Sequence, residues 1–414
     1  MGRWIAAAGM LALVLWSPEL SAQTAGAIAQ EPLTLINAVV LNVVDGTMTA
    51  NRTVVLREGR IASTGTGAAP SGTRVIDLRG RYVVPGLIDA HTHIGTLRAL
   101  RTALESGVTT VRSSGVSSYV DVGMRELVKQ GTVAGPDVLA AGYHVRPSVA
   151  EEAFLDHPGL AGLMRAGMTS PDALRRMVQA NISRGVDWIK VLATERAGTA
   201  ETDPRKQVYT EAELKIVVDE AATKGLSVQA HAHGAEGALA AVKAGVRSIE
   251  HGTYLSDETL TLMKDRGTFF VPTYATVIDL VEPGGDYDNR DLHLRGTHMI
   301  TRLEDTVKRA HQAGVKLVTG ADTSYGPQSV TRISREVAEL TRMGMSPLAA
   351  LQAATTRAAE LLHLDKQTGQ VSTGFEADIV VVERNPLEHI GTLQDPLLVV
   401  SNGRVGLDRL NFGK

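Results

Sequence analysis

Cysteine is absent from all 414 residues. Disulfides, a lipid-anchored cysteine and thiolate catalysis are therefore excluded, and any metal site must use nitrogen and oxygen ligands. An excess of one charge is missing too: 42 Lys and Arg stand against 45 Asp and Glu, a formal net charge of −3. Nothing electrostatic favours nucleic acid or an anionic membrane. There is no internal repeat and no low-complexity segment. The apolar run from Trp4 to Trp16 is too short to span a bilayer. With Arg3 before it and small residues behind it, at Leu20-Ser21-Ala22 and Ala25-Gly26-Ala27, the run reads as a secretory signal over residues 1–27. Cleavage is expected after Ala22 or Ala27, with export to a periplasm or the medium and no membrane attachment afterwards.

What remains is 43% hydrophobic and 21% charged, enough to bury a large core. Residues 28–84 read as short strands with turns at Asp45-Gly46 and Glu58-Gly59-Arg60. Residues 85–365 alternate strand-like runs with helical ones, and the strands end near His93, Arg112, His144, Lys190, His231, His251, Tyr274 and Asp322. The clearest helix covers Thr210 to Lys224: Leu214, Val217, Val218, Ala221 and Ala222 share a face, Thr210 and Glu213 make a capping box, and Gly225 ends it. Ser170-Pro171 and Ser346-Pro347 are further helix starts. This alternation predicts an α/β fold, a parallel (β/α)8 TIM barrel. Strands return over residues 366–414, so both ends of the chain are expected to pair into one small composite β-sandwich. The longer connections 145–170, 195–209 and 275–300 are expected over the barrel mouth.

Candidate ligands fall at the predicted strand ends, where such barrels place their sites. In Pro85-Gly86-Leu87-Ile88-Asp89-Ala90-His91-Thr92-His93, alternation turns both imidazoles to one face, so His91 and His93 can share a metal. Leu226-Ser227-Val228-Gln229-Ala230-His231-Ala232-His233 alternates apolar and polar, aiming His231 and His233 inward. Ile249-Glu250-His251-Gly252 and Leu317-Val318-Thr319-Gly320-Ala321-Asp322 end two later strands. Lys190 points inward between Ile189 and Val191. Burial among cationic or metal-binding groups favours its neutral amine, which can take up CO2 to form an anionic, two-oxygen carbamate. A buried lysine–carboxylate pair is the other arrangement this pattern allows.

Taken together, these segments resemble the amidohydrolase superfamily. Ala230-His231-Ala232-His233-Gly234, Ser248-Ile249-Glu250-His251-Gly252-Thr253-Tyr254 and Trp188-Ile189-Lys190-Val191 are similar to the imidazolonepropionase-related group, with its Xaa-Pro and Xaa-Arg dipeptidases and ochratoxin-hydrolysing amidases. Val84 to Asp89 and Gly374 to Ile379 carry the likeness into the sandwich halves. The resemblance implies two divalent ions, most readily Zn2+: one on His91, His93 and Asp322, the other on His231 and His251, bridged by carboxylated Lys190. It implies Asp322 as proton shuttle and His233 as a catalytic group beside the ligands. His144 matches a family histidine near the substrate, or is a structural histidine. Tyr254 would contact the substrate, or pack at the mouth. Arg112 would help bind it, although Ser113-Ser114 follow where the family often has Asp. His157, His293, His298, His311, His363 and His389 read as ordinary packing or surface residues.

The expected activity is hydrolysis of an amide to a C-terminal amino acid with a free carboxylate, in a dipeptide or N-acyl amino acid such as ochratoxin A. The alternatives are cyclic-amide hydrolysis and a non-catalytic binding barrel. A small molecule or dipeptide is the expected partner, and a homo-oligomer the expected assembly.

Overall fold

A computed structural model of the chain describes residues 31–284, 287–327, 329 and 332–411. The expected signal segment, 1–27, lies outside the described residues. No described helix is long and apolar enough to cross a membrane.

The N-terminal strands are β1 (Leu33–Leu41), β2 (Met48–Arg57), β3 (Arg60–Gly65), β4 (Arg74–Asp77) and β5 (Tyr82–Pro85). Glu58 and Gly59 join β2 to β3 with φ of 51° and 75°, the pair of positive values that a two-residue turn needs to follow strand twist. The barrel strands follow: β6 (Leu87–Thr92), β7 (Val108–Ser113), β8 (Asp137–Leu139), β9 (Trp188–Leu192), β10 (Ser227–Ala232), β11 (Ser248–His251) and β12 (Phe269–Val271). Three C-terminal strands complete the set: β13 (Ile379–Val382), β14 (Leu398–Ser401) and β15 (Arg404–Asp408).

The two β-rich ends join through β5, whose Val83 and Val84 pair antiparallel with Val381 and Val380 of β13. The result is one hydrogen-bonded sheet ordered β15-β14-β13-β5-β1-β2-β3, with β4 on β1. Alternation splits its side chains. Leu35, Val54, Ile61, Val83, Ile379, Val381 and Val400 make a separate core, while Val84, Val380, Val382 and Val399 join the barrel's core.

Within the barrel, β6-β7-β8 and β9 to β12 are two parallel sheets. Backbone bonds connect them on both sides. Val145 N–H donates to Lys190 O at 2.8 Å and Leu192 N–H to Val145 O at 3.1 Å. Across the other seam, residues 316–323 take the place of an eighth strand: Val318 N–H donates to Phe270 O (2.9 Å), Ala90 N–H to Thr319 O (3.1 Å) and Asp322 N–H to His91 O (2.8 Å). A regular strand was expected there. Asp322 has φ 48°, in the left-handed region, which breaks the pleat. Helices follow each strand position: Leu97–Glu105, Val120–Lys129, Pro171–Ser183, Glu211–Ala222, Ala235–Ala244, Asp257–Arg266, His293–Ala313 and Ile333–Arg342. Thr210 caps Glu211–Ala222 through the full capping box, and Leu214, Val217 and Ala221 are its buried face. Ser170 and Ser346 each cap a helix with Pro at its start.

Side chains of the barrel strands divide in the same way. Ile189, Val191, Val228, Ala230, Ile249 and Phe270 pack in the large core with the helices. Ile88, Ala90, Trp188, Phe269 and Val318 form a smaller cluster with Ala358, Ala359 and Leu361 of the helix Thr356–Leu361. Polar residues occupy the level between that cluster and the strand ends.

Gly86 sits where β5 hands over to β6. A Cβ there would lie 2.0 Å from Thr109 Oγ1 and 2.7 Å from Thr109 Cβ. Thr109 is fully buried and cannot swing into solvent. Gly86→Ala is expected to destabilise the protein by about 1–3 kcal/mol through overpacking. Urea unfolding of the two proteins checks this.

Candidate metal centre

The strand ends bring two donor groups together. Ligand atoms of His91, His93 and Asp322 all lie within 4.8 Å of one another, and so do those of His231, His233 and His251. Asp322 stands between them. Its Oδ1 is 3.4 Å from His91 Nε2 and 3.2 Å from His93 Nε2, and its Oδ2 is 3.8 Å from His251 Nδ1. The rings pack closely, with His231 and His251 centroids 4.5 Å apart and those of His91 and His251 4.9 Å apart. Burial is the largest cause holding the imidazoles of His91, His231 and His251 well below the ordinary histidine range, and it brings His233 down to about 3. They are neutral lone-pair donors, the form a metal requires.

Most rings are aimed by a second contact. His93 Nδ1 pairs with Gly115 O (2.8 Å), His233 Nδ1 with Thr253 Oγ1 (2.8 Å) and His251 Nδ1 with Thr273 Oγ1 (2.8 Å). His91 Nδ1 meets Glu250 Oε2 at 2.6 Å. Such contacts select the tautomer and leave the other nitrogen for the ion. His251 and Thr273 have φ of 72° and 49°. Like Asp322, they hold strained backbone at the site.

Lys190 lines the same chamber. Its Nζ is buried and, among the described residues, has no hydrogen-bond partner. The lysine–carboxylate pair that the sequence allowed is therefore not formed. Burial, opposed by the charges of Glu250 and Asp322, lowers its pKa to about 8. An orphaned, readily neutral amine among six nitrogen and oxygen side chains fits a pair of divalent ions better than it fits a closed core.

The structure corrects two expectations. Arg112 does not reach the substrate cavity. It has no exposed surface and lies beneath the ligands, donating through Nε to Ala90 O (2.7 Å) and through its terminal nitrogens to Ser248 Oγ (3.1 Å) and Glu250 Oε1 (2.9 Å). Its guanidinium also stacks over Trp188, 4.7 Å from the ring centroid. Tyr254 does not line the cavity either: it is half-buried, with its ring stacked on His298 at 6.0 Å. The third strand ends at Leu139, before His144, but His144 does reach the cavity, where its Nε2 contacts Ser114 O at 2.6 Å. Gly115 makes room for it. A Cβ there would lie 2.2 Å from His144 Cδ2, and φ is +107°. His157, His293, His298, His311, His363 and His389 line neither chamber.

Several contributors were missed. Asp89 accepts from Ala321 N–H (3.0 Å), His91 N–H (3.1 Å) and Tyr325 Oη (2.8 Å), tying β6 to the Asp322 segment. Burial raises its carboxyl to about 7. Glu250 links Arg112 to His91. Alternation puts Asp89 on the face of His91 and His93, but the partners of Asp89 and Glu250 lie on other strands. Above the ligands a cavity of ≈ 780 Å3 opens, bounded by His93, His144, Arg146, Val149, Arg196 and Tyr287 among others. The mouth connections expected at 145–170, 195–209 and 275–300 supply four of those six.

A barrel that gathers such donors at its strand ends defines a class of metal-dependent hydrolases. The chain belongs to the amidohydrolase family, which matches it over residues 82–406. It is similar to ochratoxinase of Aspergillus niger, 29% identical over 89% of this chain and 84% of that protein. It is also similar to imidazolonepropionase of Symbiobacterium thermophilum, 27% identical over 81% of this chain and 84% of that protein. A solved Xaa-Pro dipeptidase with methionine in its active site matches with TM-score 0.80 and 25% identity, over 90% of this chain and 99% of that one. The protein is accordingly a hydrolase of amide bonds.

Glu250→Gln tests the aiming of His91. It keeps the shape but weakens both the Arg112 pair and the contact to Nδ1. Metal affinity, titrated with a chromophoric chelator, is expected to fall about 10–100-fold.

Proposed function

We propose that the protein hydrolyses the amide joining an acyl group to an amino acid whose α-carboxylate is free, at a binuclear metal centre. One observation carries this reading: Asp322 stands between two histidine groups with an unpartnered, readily neutral Lys190 in the same chamber. His91, His93 and Asp322 would hold one ion, and His231 and His251 the other. When bound, divalent ions there supply Lewis acidity and bring the pKa of a water toward neutrality. Zinc suits this donor set. Lys190 would join CO2 through Nζ, losing a proton, and the resulting carbamate would offer one oxygen to each site.

Asp322 would do the proton work, a role supported by its position between the two histidine groups. Its carboxylate accepts a proton from the attacking water and returns it to the nitrogen of the leaving amino acid. His233, stacked on His251 with centroids 4.8 Å apart, and His144, in the outer cavity, are the neutral groups available to polarise or orient the amide. The methionine in the related dipeptidase structure supports a free amino acid as leaving group. The ochratoxinase relative and the breadth of the cavity support a bulky aromatic acyl group, as in ochratoxin A, with release of phenylalanine. The N-terminal apolar stretch supports export.

The experiment pairs metal analysis with hydrolysis of N-acyl amino acids and of their C-terminal amides at equal concentration. The acids are expected to have the higher kcat/KM. Equal values would favour the cyclic-amide reading that the imidazolonepropionase relative suggests. Asp322→Asn is expected to lower kcat by roughly 10²–10⁴; a change confined to KM would remove the shuttle role.

His231, Lys190 and His233 separate by metal content. His231→Ala and Lys190→Ala are expected to lower the bound-metal stoichiometry. His233→Ala is expected to keep the metal and lose turnover. Inductively coupled plasma analysis of the purified variants checks all three.

A further inference from the structure

Among the described residues, two guanidinium groups in the cavity above the donors have no anionic partner. Val145 is buried in the main core and bridges to Val191, so alternation turns its neighbours His144 and Arg146 toward the opening. Arg196, on the loop after β9, lines both this outer cavity and the inner chamber that holds Lys190 and His231. Among the described residues neither guanidinium makes an ion pair or a hydrogen bond. The carboxylate next in sequence, Glu195, is engaged elsewhere: it accepts from Lys206 Nζ at 2.7 Å and from Asp203 N–H at 2.9 Å.

Some partly buried arginines elsewhere are held by carboxylates. Arg125 is paired with Asp187 at 2.6 Å, Arg309 with Asp257 at 2.7 Å and Arg335 with Glu282 at 2.6 Å. A fully solvated arginine needs no partner, and Arg196 is exposed. Arg146 is not: it is half-buried, and burial followed by the Arg196 charge lowers its guanidinium pKa, with no carboxylate offsetting either. Two like charges sharing a partly desolvated cavity are unfavourable until an anion arrives.

We propose that Arg146 and Arg196 form an anion subsite that holds the free carboxylate of the substrate beside the metal centre. The inference rests on the amide-hydrolase reading above and assigns the residues that enforce its substrate class. Guanidinium–carboxylate bonds are charge-assisted and directional, so the clamp would orient the amide as well as bind it. Val149, bounding the same cavity, offers an apolar wall to the substrate.

The test uses the metal-loaded full chain as wild type, Arg146→Gln, Arg196→Gln and the double variant. N-benzoyl-L-phenylalanine and its C-terminal amide are compared by kcat/KM, and metal content is measured throughout. Each single substitution is expected to lower the acid-over-amide ratio about tenfold, and the double about a hundredfold, with metal retained. A ratio in the double variant within about twofold of wild type would overturn the subsite. Calorimetric binding of N-benzoyl-L-phenylalanine to an inactive Asp322→Asn background separates this inference from the function. If wild type cleaves neither compound, the amide reading fails, and binding alone judges the arginines. Weakening by about tenfold per arginine supports the subsite, whereas equal or absent binding overturns it.

Discussion

Arg112 and Glu250 form an ion pair whose side chains have no exposed surface, and the barrel is organised around it. Arg112 comes from β7 and Glu250 from β11. The guanidinium also binds a β6 carbonyl and stacks on Trp188 of β9. One residue thus gathers four strands. Breaking a buried pair by removing one partner costs about 3–5 kcal/mol, because a dry charge is left behind. Here the pair does more than resist unfolding. The second oxygen of Glu250 meets His91 Nδ1, so the charge below fixes the donor above.

The level above is built on tension of another kind. His251, Thr273 and Asp322 all hold left-handed backbone. Strain of this sort costs of order 1–3 kcal/mol per residue and persists only where the surroundings over-determine it. Those surroundings are identifiable. Thr273 receives the His251 ring, and Asp89 clasps the segment leading into Asp322. Asp322 thereby leaves the line of the eighth strand and sits between two groups of imidazoles. The irregular strand and the central carboxylate are one feature.

Polarity is graded along the barrel axis. Apolar Ile88, Ala90 and Phe269 close one end with the helix Thr356–Leu361. The Arg112–Glu250 pair follows, then neutral imidazoles and a lysine without a hydrogen-bond partner, then a wide cavity with arginines that are unpaired among the described residues. Among the described residues, Lys190 Nζ at the donor level lacks a hydrogen-bond partner, whereas the Arg112–Glu250 pair beneath it is bonded. That is the order expected if structure is completed by the protein and the upper levels are completed by what binds.

Local pattern carried much of this. The His91-Thr92-His93 and His231-Ala232-His233 spacings, the capping box at Thr210 and Glu213, and the Ser-Pro helix starts are fixed by neighbours a few residues apart. They were readable because pleat and helix periods are short-range properties. Alternation also revealed that Lys190 points inward. It could not tell depth. Arg112 was expected at the substrate and is instead the buried base of the site. Its partners, Ser248 and Glu250, lie 136 and 138 residues away, and only the closed arrangement of strands brings them into reach. The same holds for Tyr254, whose ring stacks on His298, and for Arg146, which has no partner among the described residues. The sequence determined which faces the reactive side chains occupy. The tertiary structure decided which charges are neutralised and which are left for a ligand, because pairing depends on distances that chain order does not encode.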